Sequence, residues 1–132
     1  MGCTLHCISK TQQVLALSSG EAELYAIGTG IAEGLALGNF LVEACLCTKF
    51  QLLVYTDSSA GKSIATRLGV SKKTRHIDLR FLYMQQLIKS GIVQLQKVAG
   101  TINPADLLTK YVDADTLGRI RDQLGMVHSI NH

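Results

Sequence analysis

Three carboxylates stand where a secondary-structure element is predicted to begin or end, and together they could do chemistry. Glu23 lies in the opening turns of an apolar helix, Asp57 follows a short apolar strand, and Asp106 lies near the start of a late helix. Acids that share one cleft cannot all stay ionised unless a cation lies between them. Mg²⁺ takes oxygen ligands of this kind. The pattern therefore predicts metal-assisted cleavage of phosphodiester bonds.

Each of the three acids also has a purely structural interpretation. An acid such as Glu23 is favoured in a first helical turn by the helix dipole. Asp57 could cap the helix that follows its strand, and Asp106 could support the start of its own helix. Glu23 lies four residues before Ile27, beside the apolar stripe, so we expect it to face the sheet. The joint arrangement favours a site, because all three acids would lie at one end of the sheet.

Composition and charge suit one small domain that covers residues 1–132. The chain is 47% hydrophobic and carries a net charge of +3, which permits a polyanionic partner without requiring one. Its basic residues concentrate in one segment, and a nucleic-acid track is predicted there. Those basic residues are Lys62, Arg67, Lys72, Lys73, Arg75 and Arg80. His76, beside them, could contact phosphate or cap its own helix.

No segment looks both long and apolar enough to span a bilayer, and no signal peptide is evident. We therefore expect an intracellular protein that is neither secreted nor membrane-bound. The spacing of Cys3, Cys7, Cys45 and Cys47 is a poor match to a zinc site, even with His6 added. Free thiols, buried or half-buried, are the expectation.

Periodicity predicts the order strand, helix, strand, helix, helix, strand, helix, which is an α/β sandwich around a mixed sheet. The strands are predicted at residues 3–9, 51–56 and 92–98, and the first could continue through 13–17. The helices are predicted at 18–45, from 58 or 59 to about 67, at 76–90 and from 103, with a further amphipathic helix at 113–124 and a frayed tail at 125–132. Ser18 and Asn103 are predicted to cap their helices, Gly91 is predicted to end the third helix, and residues 92–98 are predicted to alternate between an apolar and a polar face. Glycines in the first helix either allow close packing on the sheet or break the helix in two.

A nucleotide-binding loop is a rival interpretation of the segment after Asp57. The residues AGKS at 60–63 follow a strand and start a helix, as a P-loop does. That motif needs glycine where this chain has Thr56, and it would place Asp57 in a cradle meant for phosphate. We therefore expect a P-loop-like nucleotide binder only as a distant alternative.

Four sequence blocks make the chain resemble the ribonuclease H domain of copia-type (Pseudoviridae-like) retrotransposon Pol polyproteins. The blocks are SKTQ at 9–12 with LSSGEAE at 17–23, TDSSA at 56–60, TRHIDLR at 74–80 and ADLLTK at 105–110. They follow the family's order from about residue 8 to residue 117. The resemblance implies a ribonuclease H-like mixed sheet flanked by helices and lacking the first strands. An integrase-like transferase shares the broad fold, but its acids are spaced differently.

The resemblance also implies a function. Such domains hydrolyse the RNA strand of RNA–DNA hybrids during reverse transcription, with carboxylates that hold two Mg²⁺ ions, or Mn²⁺. Glu23, Asp57 and Asp106 match three of the family's carboxylates. The partners would be the hybrid and an upstream reverse transcriptase domain, in a cytoplasmic virus-like particle or the nucleus. The residues expected to contact nucleic acid are Ser58, Lys62, Lys72, Lys73, Arg75, His76 and Arg80.

Two departures from the family pattern lower the expected activity. The fourth family carboxylate lies on a first strand that we expect this chain to lack, and the loop at 99–103 has no histidine. We therefore expect a partial domain whose cleavage is weak or absent. Two alternatives stay open. One is a catalytically inactive, nucleic-acid-binding remnant of a retroelement, and the other is a pseudogene product without function.

Overall fold

The described part of the chain is an α/β structure with a small parallel sheet and flanking helices. The computed structural model describes residues 4–13, 15–16, 18–59 and 78–126. It divides into a larger unit, Gln12–Val98, and a smaller unit formed by Met1–Thr11 and Ala99–His132. The predicted fold class is confirmed, since this architecture is consistent with a truncated ribonuclease H-like fold.

The larger unit begins with helix α1, Ser19–Glu43, which is continuous despite its glycines. Ser18 caps it, and its hydroxyl accepts a hydrogen bond from the Glu21 N–H at 3.1 Å. At the other end Cys45 takes a left-handed conformation with φ 59°. The N–H groups of Cys45 and Leu46 donate to the carbonyls of Val42 and Leu41, at 3.0 and 2.9 Å. This pair of bonds closes the helix as a Schellman motif does.

The sheet consists of strand β1, Leu52–Thr56, and strand β2, Val93–Lys97, paired in parallel. Strand β2 alternates as the sequence predicts: Val93 is buried and Leu95 half-buried, while Gln94 and Gln96 are exposed. On β1 the exposed residues are Leu53 and Tyr55, at 46% and 57%. The helices and the core lie on the face that carries Val93.

Helix α2, Asp78–Lys89, precedes β2 and completes the core of the larger unit. Its residues Phe81, Met84 and Leu87 are buried together with apolar residues of α1 and with Val93. The contributions from α1 are Leu24, Ile27 and Ile31. Gly91, with φ 76°, follows α2 and turns the chain into β2. This is the glycine at which the sequence predicts the helix to end.

Two glycines of α1 let the helix approach the start of β1 closely. A Cβ atom at Gly38 would lie 2.4 Å from the ring of Phe50, and one at Gly34 would lie 2.6 Å from Leu52. Atoms do not approach so closely without something moving. The close-packing interpretation of these glycines is therefore the right one, and the predicted alternative of a broken helix is wrong.

Helix α1 is long and apolar enough, by length and composition, to cross a membrane. The expectation that no segment meets this test is therefore wrong. Soluble core helices pass the same test, and α1 buries Leu24, Ile27 and Ile31 against α2 and Val93. The buried share of its apolar window is 17%, so α1 packs against the core along one stripe only.

The smaller unit holds two short 3₁₀ helices, Gly100–Ile102 and Pro104–Leu108, and helix α3, Ala114–Gln123. Ile120 is its buried apolar anchor on α3. Thr4 donates to the carbonyl of Leu124 at 2.8 Å, and Arg119 donates to the carbonyl of Thr101 at 3.1 Å. These bonds link the segment near residue 4 and the 3₁₀ region to α3.

Several predicted details are wrong. Residues 4–13 form no strand, although a strand was predicted at 3–9, because no described strand pairs with them. The segment after Asn103 is a 3₁₀ helix of five residues rather than an α-helix. Cys7 and Cys45 are free and exposed, and Cys47 alone of the described cysteines is half-buried. The predicted helix ending near residue 67 and the basic loop lie outside the described residues.

The glycine contacts predict opposite effects for two substitutions in α1. Gly30→Ala meets no atom within 4 Å, so it should stabilise the helix by about 1 kcal/mol. Gly38→Ala meets the Phe50 ring, and overpacking of about 1–3 kcal/mol should outweigh that gain. Urea unfolding of both variants measures the difference. Equal stabilisation by the two substitutions would show that α1 does not approach Phe50 closely.

The cap of α3 predicts a pH effect. The Thr116 N–H donates to Asp113 Oδ1 at 2.7 Å, and this bond lowers the pKa of the Asp113 carboxyl below its ordinary 3.8. A lowered folded-state pKa adds stability above the unfolded pKa, and this stability is lost as pH falls through the folded pKa. Asp113→Asn keeps an oxygen acceptor and does not titrate. Below about pH 4 the wild-type melting temperature should therefore fall more steeply than that of Asp113→Asn. Parallel curves would contradict this account.

Candidate active site

The carboxyl ends of both strands meet at one edge of the sheet, and Asp57 follows β1 at that edge. In the parallel register Thr56 pairs with Lys97, and the Val98 N–H donates to the Thr56 carbonyl at 3.0 Å. Ligand sites of open α/β sheets lie outside the carboxyl ends of the strands. Asp57 therefore follows a strand, as the sequence predicts, and its role as a metal ligand stays a prediction.

A buried hydroxyl shapes the turn that carries Asp57. Thr56 is 7% exposed, and its Oγ1 accepts a hydrogen bond from the Ser58 N–H at 3.1 Å. A hydrogen bond donated by an N–H to the hydroxyl oxygen two residues earlier closes a tight turn. Asp57 is the middle residue of this turn, and it is half-buried together with Ser58. The strand end thus fixes the backbone from which the Asp57 carboxylate extends.

A cation lies at the same edge as Asp57. The ammonium group of Lys97, the last residue of β2, donates to the hydroxyl of Ser59. Both residues are exposed. The bond joins the end of β2 to the segment that leaves β1. The edge therefore presents a carboxylate, two serine hydroxyls and an ammonium group.

Glu23 lies near the start of α1 and is exposed. It directly precedes the buried Leu24, about 100° away around the helix axis, so it stands at the margin of the apolar face. Exposure alone gives no direction for the Glu23 side chain, so the expectation that it faces the sheet stays a prediction. The carboxylate stays in water, where it needs neither a partner nor a metal.

Asp106 belongs to the smaller unit, in the first turn of the 3₁₀ helix Pro104–Leu108. As predicted, Asn103 caps this helix, and its Oδ1 accepts a bond from the Ala105 N–H at 3.2 Å. The Asp106 side chain is 19% exposed, and its Oδ1 lies 3.0 Å from the Lys110 ammonium. The pair follows the (i, i+4) spacing. Asp106 therefore has a local cation of its own.

Convergence of the three acids stays a prediction. Glu23 and Asp57 belong to the larger unit and Asp106 to the smaller one. Within the part of the chain that the structure describes, no group of three or more His, Cys, Asp or Glu side chains could hold a metal ion. The donor chemistry nevertheless suits Mg²⁺, since Asp57 and Asp106 offer half-buried carboxylate oxygens at element ends.

Most residues expected to contact nucleic acid lie outside the described residues. Ser58 is described, at the turn after β1. The backbone of Arg80 falls in α2, but its side chain is not described. The remaining predicted contacts and the P-loop-like segment 60–63 lie in the undescribed range 60–77. The members of this group are Lys62, Lys72, Lys73, Arg75 and His76.

A groove of about 380 Å³ lies between α1 and α2 within the larger unit. Its lining is mostly apolar and includes Leu24, Ile31, Phe81 and Met84, but neither Glu23 nor Asp57. Its lining holds one carboxylate, that of Glu33, and no basic side chain, so it does not favour an anionic substrate. We regard the groove as a feature of core packing, and the carboxyl edge of the sheet as the site.

Sequence reasoning missed Thr56 and Lys97 at the carboxyl edge of the sheet, and it missed Lys110 as the ion-pair partner of Asp106 in the smaller unit. Thr56 could have been suspected as a polar residue that ends an apolar strand. Lys110 lies four residues after Asp106, a spacing at which opposite charges meet on a helix. Lys97 gave no local signal, because its place beside Asp57 depends on the register between two distant strands.

Comparison with known proteins relates the chain to a retrotransposon. Over 118 residues it is 31% identical to the "Retrovirus-related Pol polyprotein from transposon TNT 1-94" of Nicotiana tabacum. The match covers 89% of this chain and 9% of that polyprotein. No family model and no solved structure matches the chain. The chain is thus similar to a segment of a retrotransposon Pol polyprotein, and this supports a copia-type Pol origin.

The turn after β1 predicts the effect of removing its hydroxyl. Thr56→Val keeps the shape of the side chain but leaves the Ser58 N–H without its acceptor, which should cost about 1 kcal/mol of stability. Urea unfolding measures the loss, and faster hydrogen exchange of the Ser58 amide locates it. Thr29→Val is the control, because Thr29 is exposed and bonds only within α1. An unchanged hydrogen-exchange rate of the Ser58 amide would show that the bond to Thr56 Oγ1 does not hold this turn.

Proposed function

We propose that the chain belongs to a ribonuclease H-type nuclease of a copia-type retroelement. Its substrate would be the RNA strand of an RNA–DNA hybrid. The sequence blocks around Glu23, Asp57 and Asp106 support this proposal, as does the similarity to a Pol polyprotein segment over 89% of the chain. The observation that carries it is Asp57 directly after β1, at the carboxyl edge of a parallel sheet.

In this proposal the three acids are metal ligands. Asp57 would be the central one, because the bond from the Ser58 N–H to Thr56 Oγ1 holds its turn. Glu23 and Asp106 would complete the set of metal ligands if their carboxylates come to lie beside Asp57. When bound, Mg²⁺ would activate a water and stabilise the charge that develops on the phosphate. The hybrid would be recognised through its shape and its 2′-hydroxyl groups.

The setting is inferred by analogy with a retroelement polyprotein. In a retroelement the hybrid arises during reverse transcription, so an upstream reverse transcriptase domain of the same polyprotein is the natural partner. A cytoplasmic particle or the nucleus would be the location. The activity of the isolated chain should be weak, because Glu23 is exposed and the described residues gather no three metal-binding side chains.

Nucleic-acid binding without cleavage is the second candidate function. The same two observations favour it, since an exposed Glu23 and the lack of a three-ligand group among the described residues both weaken the case for a metal site. Binding then rests on basic side chains and hydroxyls. Salt-sensitive binding of the hybrid is its signature.

A cleavage assay with an end-labelled RNA strand in a hybrid tests the first candidate. With Mg²⁺ or Mn²⁺, the wild-type chain should cut hybrid RNA weakly and leave single-stranded RNA intact. Asp57→Asn should reduce cutting to the level seen with EDTA, because it removes a charged metal ligand. Asp122→Asn, an exposed change in α3 next to Arg121, should keep the wild-type rate.

The outcomes separate the candidates. Equal cutting by wild type and Asp57→Asn would rule out Asp57 as a ligand and point to a contaminating nuclease. Hybrid binding that falls with salt, without any cutting, would select the second candidate. If the chain neither binds nor cuts the hybrid, both candidate functions are excluded.

A further inference from the structure

Lys97 interrupts the row of apolar residues on one side of β2. The strand reads Val93-Gln94-Leu95-Gln96-Lys97, with buried or half-buried apolar residues at the first and third positions. The fifth position would continue that side of the strand, yet it carries a lysine and is exposed. A long cationic side chain thus ends a strand where a third apolar residue would continue the core-facing row. This points to a role outside the core.

The register places Lys97 next to the candidate site. Lys97 pairs with Thr56, and neighbouring strands lie about 4.8 Å apart. Asp57 is the next residue after Thr56 along the chain. The backbone of Lys97 is therefore a close neighbour of the turn that carries Asp57, even though 40 positions separate residues 57 and 97 along the chain.

The ammonium group of Lys97 has donors to spare. It donates to the Ser59 hydroxyl, and no carboxylate of the described residues forms an ion pair with it. An ammonium group has three N–H donors. Two donors and a full positive charge therefore face solvent at this edge, beside the hydroxyl of Ser59.

We propose that Lys97 and Ser59 form a subsite for a backbone phosphate of the nucleic acid, next to Asp57. The proposal rests on the function proposed above, and it adds a contact that the sequence alone did not indicate. A phosphodiester is repelled by a carboxylate edge unless cations compensate. Lysine binds phosphate as a point charge, and the Ser59 hydroxyl holds the ammonium group at the carboxyl edge.

A structural role is the competing explanation. The bond between Lys97 and Ser59 could simply tie β2 to the segment after β1. An exposed bond of this kind contributes little to stability, about 1 kcal/mol or less. The two roles differ in what Ser59→Ala does. A tether is lost equally by changing either partner, whereas a phosphate-binding charge remains when the hydroxyl is removed.

The test uses the full chain and a fluorescently labelled RNA–DNA hybrid. Anisotropy is measured over a range of salt concentrations, with EDTA present so that the RNA is not cut. Lys97→Gln should weaken binding about five- to tenfold at low salt. It should also reduce the slope of log K against log salt by about one, because one phosphate contact is lost. Lys97→Arg should keep binding near the wild-type value.

Lys89→Gln is the matched control. It removes the same charge from an exposed lysine in the last turn of α2, before Gly91 and the amino end of β2. It should change binding less than twofold. The affinity of Ser59→Ala for the hybrid should lie between that of the wild type and that of Lys97→Gln. Circular-dichroism melts of all variants should coincide, since the substituted side chains are exposed.

The results distinguish a failure of the phosphate subsite from a failure of the proposed function. If the wild type binds the hybrid but Lys97→Gln and Lys89→Gln behave alike, the subsite is wrong and the proposed function stands. If Ser59→Ala weakens binding as much as Lys97→Gln, the pair is a tether and the subsite is also wrong. If the wild type does not bind the hybrid at any salt concentration, the proposed function itself fails.

Discussion

The parallel pairing of β1 with β2 is the interaction on which the rest of the structure depends. Its register aligns Leu52 with Val93 at one end and Thr56 with Lys97 at the other. The first pair directs two apolar side chains toward the helices, and the second brings a hydroxyl and an ammonium group to the carboxyl edge. A shift of one residue would turn every side chain of β2 to the opposite face. Core and candidate site are therefore fixed by the same hydrogen bonds.

The register in turn depends on how α1 and α2 cover one face of the sheet. Gly34 and Gly38 let α1 approach Leu52 and Phe50, while Phe81 and Met84 of α2 join the core with residues of α1. Parallel sheets are stable when both faces are covered. The exposed Leu53 and Tyr55 show that the other face of β1 is open to solvent within the larger unit.

The sequence predicted those features that local patterns determine. The alternation in β2, the cap at Ser18, the turn at Gly91 and the helix that Asp113 caps all follow from neighbours a few residues apart. The strand at 3–9 failed because a strand needs a partner, and no local pattern supplies one. Cys45 shows the same limit: it takes a left-handed conformation that usually needs glycine, and only the observed helix end explains it.

The candidate site was predictable in part, for the same reason. Asp57 could be placed because a strand end is a local feature, and the motif around it added support. The exposure of Glu23 could not be predicted, since Glu23 stands at the margin of the apolar face and its burial depends on what packs there. Lys97 entered the site through a pairing between distant strands, which no window of the sequence contains.

Asp57 and Asp106 differ in whether a cationic side chain pairs with the carboxylate. Asp106 has Lys110 at 3.0 Å, but the lysine is largely exposed, and an ion pair of this kind stabilises by about 1 kcal/mol or less. A divalent ion that contacts the Asp106 carboxylate directly interacts more strongly, so the pair is no obstacle to metal binding. Among the described residues Asp57 forms no salt bridge, and the cation at its edge bonds to Ser59 instead. That leaves the Asp57 carboxylate open to a metal ion and the ammonium group of Lys97 open to a phosphate. The proposed nuclease function would need both at one edge.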